Sequence, residues 1–115
     1  MVRTTEEVFE DHLALAKKGR VEIDVGRNFD PECVLLTSDG IFQGHDGVRK
    51  AATALEKKLP QAVFTYTRTM VFGELAFLEW TGESEKTRVC SGADSFIVRN
   101  GRIRYMTAHY LVEEK

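Results

Sequence analysis

Apolar residues recur at helical spacing through the first half of the chain and alternate with polar ones through the second. Thr4-Thr5-Glu6-Glu7 has the S/T-x-x-E form of a capping box, and after it Val8, His12 and Leu15 fall about one turn apart, beside Phe9, Leu13 and Ala16. This spacing predicts a first helix that Gly19 stops. A short second helix is predicted over about 20–25, with Gly26 ending it and Asp30-Pro31 enforcing a break. The β-type run Cys33-Val34-Leu35-Leu36-Thr37 follows, and Asp39-Gly40 closes it. Asp46 is placed as the N-cap of a third helix whose inner stripe reads Val48, Ala51, Ala52, Leu55 and Leu59, as far as Pro60.

Beyond Pro60 the chain reads as four strands, roughly 62–72, 75–81, 87–99 and 102–112. Gly73-Glu74 suits a two-residue type II′ turn, and Asn100-Gly101 has the type I′ signature of a tight hairpin. Helices first and an antiparallel meander afterwards predict an α+β fold. Three helices cannot cover both faces of such a sheet, so it is expected to curl around them as a cone and leave its outer face to a second copy of the chain.

The last hairpin can be read as a register. With Asn100-Gly101 as the loop, Arg99 faces Arg102, Val98 meets Ile103, Phe96 meets Tyr105, Asp94 meets Thr107 and Gly92 meets His109. The other face carries Arg99, Arg102, Arg104, Ser95, Ile97, Met106, Ala108 and Tyr110, and its three arginines mark it as the outer one. Asp94 and His109 are thereby expected inside, as diagonal neighbours. An acid and an imidazole on an apolar concave face are costly unless paired or used, so they either organise the core together or do chemistry. A bulge in the long strand would invert this parity.

Three more positions join the candidates. His12 lies on the apolar stripe of the first helix, either as a satisfied core histidine or as part of a site. Asp39 shares strand parity with Leu35 and Thr37, although Ser38-Asp39-Gly40 is also an ordinary turn. Trp80 and Phe77 occupy opposite faces of one strand, and alternation alone does not say which is interior. His45, beside Asp46, is expected in solvent.

Composition narrows the classes. With 115 residues a single domain, 1–115, is expected, and 43% apolar with 30% charged residues is an ordinary globular balance. A net charge of −2 without basic runs argues against nucleic acid or an anionic membrane as partner. Glu6, Glu7, Glu10 and Asp11 exclude a signal peptide over the first eighteen residues. No apolar run approaches a membrane span. Cys33 and Cys90 lack metal spacing and read as reduced thiols of a cytoplasmic protein, with no metal site. Nucleotide-binding glycine motifs, a G-x-S-x-G elbow and H-E-x-x-H are absent.

Two segments carry a family resemblance: Phe42-x-Gly44-x-Asp46-Gly47-Val48-Arg49 opening the third helix, and Asp94-x-Phe96-x-Val98-x-Asn100-Gly101-x-Ile103 at the last hairpin. Together with Leu78-Glu79-Trp80 and Thr107-Ala108-His109-Tyr110, they make the chain resemble the nuclear-transport-factor-2-like superfamily, and within it the SnoaL-like polyketide cyclases and ketosteroid-isomerase-like proteins. The resemblance implies a cystatin-like α+β cone, a homodimer and a small hydrophobic ligand, with no cofactor. It places a general-base Asp on Asp39 and an oxyanion-hole acid on Asp94. The phenol that completes that hole would fall on His12, so a cyclase-type Asp/His site fits better than ketosteroid isomerisation itself. His109 joins these as a proton-handling candidate, and Trp80, Phe96, Tyr105 and Leu15 are the expected ligand contacts. The alternatives on the same fold are a non-catalytic ligand-binding or dimerisation scaffold, an epoxide hydrolase and a dehydratase.

Overall fold

The structure, a computed structural model, describes residues 2–115. Helix α1 (Thr5–Lys17) begins with the expected capping box: Thr4 accepts from the Glu7 amide while the Glu7 carboxylate accepts from the Thr4 amide. Helix α2 (Val21–Asn28) runs through Gly26 rather than ending there. Strand β1 (Phe29–Thr37) then starts before Pro31, with an irregularity between Phe29 and Val34 in place of a break. A short strand β2 (Gly40–Gln43), which the alternation did not reveal, turns back on β1. Helix α3 (Gly44–Lys58) follows at once, so its N-cap is Gln43 and Asp46 sits inside the first turn.

The second half is β3 (Val63–Phe72), β4 (Leu75–Glu83), β5 (Thr87–Arg99), β6 (Arg102–His109) and a two-residue β7 (Glu113–Glu114). Both tight turns form as their residues require. Gly73 is at φ 62° before a Glu74 at negative φ, as in type II′, while Asn100 and Gly101 are both at positive φ, as in type I′. The strand order is β2-β1-β6-β5-β4-β3, with β7 beside β5. Because β1 lies parallel to β6, the sheet is mixed rather than purely antiparallel. The helices fill its concave side, where Val8, Phe9, Val25, Phe29, Phe96 and Ile103 form the centre of the core.

Curling needs bulges, and one of them decides which residues face the core. On the β5–β6 hairpin Val98 pairs with Ile103 as expected, but Ile97 pairs with Tyr105, leaving Arg104 as an extra residue. From there on every β6 side chain is on the face opposite to the expected one. Met106, Ala108 and Tyr110 pack inward, while Tyr105, Thr107 and His109 stand on the outer face. The expected inner assignment of Tyr105 and His109 is thus corrected, and so is the outer assignment of Met106, Ala108 and Tyr110. Strand β5 keeps its expected parity, with Asp94, Phe96 and Val98 inside.

Candidate functional site

Helices α1 and α2 bring His12 and Asp24 together although a turn separates them in sequence. His12 Nδ1 is 2.7 Å from Asp24 Oδ2, and both residues are buried. Nδ1 therefore carries the hydrogen and donates it, since a carboxylate only accepts. Asn28, one helical turn beyond Asp24, donates its amide to Asp24 Oδ1 and to Asp11 Oδ2, each at 2.9 Å. Arg3 Nη1 donates to the Asn28 carbonyl oxygen at 2.8 Å, which fixes the amide's orientation. Arg27 closes the outer end with two bonds to Asp11. The His12 ring stands edge-on to Phe29 and Phe96, 5.3 Å from each. Among the described residues no hydrogen bond engages its Nε2, and no fully buried side-chain nitrogen or oxygen lacks a partner. Nε2, without a partner yet not among the fully buried atoms, is therefore not sealed from solvent.

Asp94 comes to the same neighbourhood from β5. Its partner is not His109 but Trp80, whose indole Nε1–H donates to Asp94 Oδ1 at 3.0 Å. Trp80 faces inward, buried to 4%, and Phe77 faces outward, which settles the choice that alternation left open. The arrangement depends on Gly92, which pairs with Trp80 across the strands. A Cβ at Gly92 would lie 2.2 Å from Trp80 Cε2, so only glycine lets the indole lie flat and reach Asp94 two residues further along. Burial pushes the Asp94 carboxyl up to about 6, against the opposing pull of the Trp80 hydrogen bond and of the His12 charge. Tyr66 on β3 completes this wall, donating its hydroxyl to the Leu13 carbonyl at 2.8 Å. Burial, with the charges of Asp94 and Asp24, pushes its phenol up to about 12.

Asp39 lies in the β1–β2 turn, joined to the Asp94 neighbourhood through Tyr110 and Trp80. Both its oxygens are engaged: Lys58 at the end of α3 donates to Oδ1 and the Tyr110 hydroxyl donates to Oδ2. Burial works to raise its pKa, but the Lys58 and Tyr110 hydrogen bonds and the Lys58 charge outweigh it and hold the carboxyl below its usual range. Tyr110 packs against Trp80 with ring centroids 5.8 Å apart, so the indole stands between the two acids.

Of the expected residues, the fold brings together His12, Asp94, Trp80 and Phe96. Leu15 is buried but lies outside the contiguous apolar core, which its neighbour Leu13 joins. Tyr105 is 38% exposed on the outer face, with the Arg104 and Arg99 guanidinium groups over its ring, and His109 is exposed nearby. His45 does not sit in open solvent; its Nε2 lies 2.8 Å from the Phe29 carbonyl oxygen. Asp24, Asn28 and Tyr66 were missed. A signal for the first two was present: Val21, Asp24, Val25 and Asn28 form one helical stripe, so two polar residues occupy inward positions. No cluster of three His, Cys, Asp or Glu fit to hold a metal exists among the described residues. Nor is any helix among them long and apolar enough to cross a membrane. A surface hollow of about 470 Å³ runs along α3 beside Arg49, Thr53 and Lys57 and reaches Lys58, the partner of Asp39.

The SnoaL-like domain family matches residues 9–106, nearly all of the elements just described. This chain belongs to the SnoaL-like domain family. Solved structures agree on the fold. A candidate ketosteroid isomerase from Kribbella flavida DSM 17836 superposes with a TM-score of 0.78 at 13% identity, covering 93% of this chain and 77% of that one. A candidate polyketide cyclase from Sinorhizobium meliloti gives 0.70 at 17% identity, over 89% and 93% of the two chains. A de novo designed protein with a curved β-sheet gives 0.76 at 20% identity, over 93% and 84%. No curated protein matches this SnoaL-like chain in sequence. At such identities the neighbours establish the nuclear-transport-factor-2-like fold, and the designed protein is a reminder that the fold by itself implies no reaction.

Proposed function

We propose that this SnoaL-like chain is a cofactor-independent acid–base enzyme of the isomerase or cyclase kind, acting on a small, largely apolar carbonyl compound. The observation that carries the reading is the meeting on one apolar wall of an imidazole oriented by Asp24 and a carboxyl that burial brings to about 6. Abstracting a proton α to a carbonyl needs a base beside the carbon and a donor at the oxygen. His12 Nε2 supplies the base, and Asp94, in its protonated form, supplies the donor. Phe29 and Phe96, buried beside the imidazole, keep water from that side of the ring. Asp39, held ionised by Lys58 and Tyr110, organises the β1–β2 turn instead of taking a proton. That two structural neighbours are described as an isomerase and a cyclase supports the reaction class.

The test is a panel of cyclic enones, β-keto esters and epoxides in deuterated water, followed by NMR. Deuterium is expected at the carbon α to the carbonyl with the wild type, and neither with His12→Gln nor with Asp94→Asn. Compounds that bind without exchange, cyclisation or ring opening would make the chain a ligand-binding scaffold.

The reading includes a second copy on the outer face of the sheet. Ile41 and Leu36 at one edge, Ile97 and Phe77 in the middle and Met70 and Phe72 at the other edge form an apolar band, with Ile41 71% and Phe72 89% exposed. Contiguous exposed apolar side chains of this kind mark interaction surfaces. Light scattering is expected to give about twice 13 kDa, and Ile97→Glu to give the monomer mass. The free thiols of Cys33 and Cys90 accord with the reducing cytoplasm.

A further inference from the structure

We infer that Asp24 is the positioning residue of this site: through Asn28 it locks His12 in the tautomer that carries hydrogen on Nδ1 and leaves Nε2 as the proton acceptor. The inference rests on the proposed acid–base reading for its catalytic meaning, but its geometry stands independently. Asp24 uses one oxygen for His12 Nδ1 and the other for the Asn28 amide. The Asn28 amide cannot turn over, because its oxygen faces the Arg3 guanidinium and its nitrogen faces the two carboxylates of Asp24 and Asp11. Donors and acceptors therefore alternate without a gap from Arg3 to His12, and the order leaves one arrangement of the imidazole hydrogen. Asp94 on β5 feels the His12 charge, and Tyr66 on β3 feels those of Asp94 and Asp24. The Tyr66 hydroxyl is committed to the Leu13 carbonyl, and the Asp94 Oδ1 to Trp80. Neither supplies a competing partner for Nδ1.

The chain of bonds gives Asp24→Asn an unusual consequence. Asn28 still donates to the position of Oδ1, so the new side chain keeps its carbonyl there and turns its NH₂ toward His12. Nδ1 must then accept, and the imidazole hydrogen moves to Nε2. The base is abolished without removing a single atom from the ring.

The experiment is ¹⁵N NMR of the His12 ring, which needs no substrate, at a pH where a titration shows the ring neutral. The wild type is expected to show a pyrrole-like Nδ1 and a pyridine-like Nε2, and Asp24→Asn the reverse. Amide fingerprint spectra check that the fold persists. Should Asp24→Asn fail to fold, Asp24→Ala serves: Nδ1 then has no carboxylate to donate to, and both tautomers are expected where the wild type has one. A wild-type ring with hydrogen on Nε2, or a ring whose tautomer neither substitution changes, overturns the inference. On any substrate the panel reveals, Asp24→Asn is expected to lower kcat by about 10²–10⁴-fold with KM nearly unchanged. A tautomer that reverses while turnover stays at full rate keeps the positioning role and sinks the proposed use of His12 as base.

Discussion

Asp94 and Asp39 are two aspartates joined through Trp80 and Tyr110, and their environments drive them in opposite directions. Asp94 has one hydrogen-bond donor, an uncharged indole, and burial prevails, bringing the carboxyl to about 6. Asp39 also loses water, yet an ammonium and a phenol hold its two oxygens and keep it below the usual carboxylate range. Depth and partners together set the outcome: Asp94 lies far deeper and has only the one neutral donor. A carboxyl that exchanges protons near neutrality suits acid–base chemistry, whereas one clamped as an anion suits structure.

The sharpest way to break this contrast is by turnover. On a carbonyl substrate that the panel identifies, Asp94→Asn should lower kcat by about 10²–10⁴-fold, while Asp39→Asn should leave it within a few fold. Equal losses at both positions would return Asp39 to the role of base.

Stability against pH separates the two acids without any substrate. The folded pKa of Asp94 is above its unfolded value, so protonation favours the fold. Its stabilisation is complete below about pH 4 and is lost as the pH rises through 6. Asp94→Asn removes this dependence. Between pH 4 and 8 the variant should gain on the wild type by at most about 3 kcal/mol in urea melts. Asp39 has the opposite sign, its contribution being present above the usual carboxylate range and lost as the pH falls below it. A gap between Asp94→Asn and wild type that is flat with pH would show that Asp94 is not buried as described.

Gly92→Val tests the packing beneath the contrast. The added side chain must displace Trp80, and overpacking of this kind should cost roughly 1–3 kcal/mol. The indole would also lose Asp94, so tryptophan fluorescence should shift to the red. An unshifted spectrum would mean that the ring does not lie on Gly92.

The smallest effect is expected from Lys58→Met. The Lys58 side chain is half exposed, so losing its pair with Asp39 should cost about 1 kcal/mol or less at pH 7 and nothing well below pH 4. A loss of 3 kcal/mol at neutral pH would mean that the clamp is screened from solvent and matters far more than its exposure implies.

Much of the fold was legible in the sequence because it rests on local physics. The capping box of Thr4 and Glu7 and the left-handed residues Asn100 and Gly101 act within four positions, and each appears where its residues demand. Period-two alternation likewise placed Asp94, Phe96 and Val98 on one face of β5. Within the candidate site, His12, Asp94 and Phe96 could be placed in advance, since each sits on a stripe that the core side of its element requires, whereas alternation left Trp80 and Phe77 open.

Tertiary structure decided the rest. Arg104 bulges where the sheet curls and β1 lies parallel beside β6, and a period of two turns that single extra residue into an exchange of faces for everything beyond it. His109 and Tyr105 were lost to the site for that reason alone. The partner of His12 came instead from α2, through the angle at which two helices pack, and Asp39 acquired Lys58 and Tyr110 from elements 19 and 71 residues away in sequence. Which side of an element a residue occupies is local information, but which charge it meets depends on how elements far apart in the chain come together, and that contact sets the chemistry of a buried acid or imidazole.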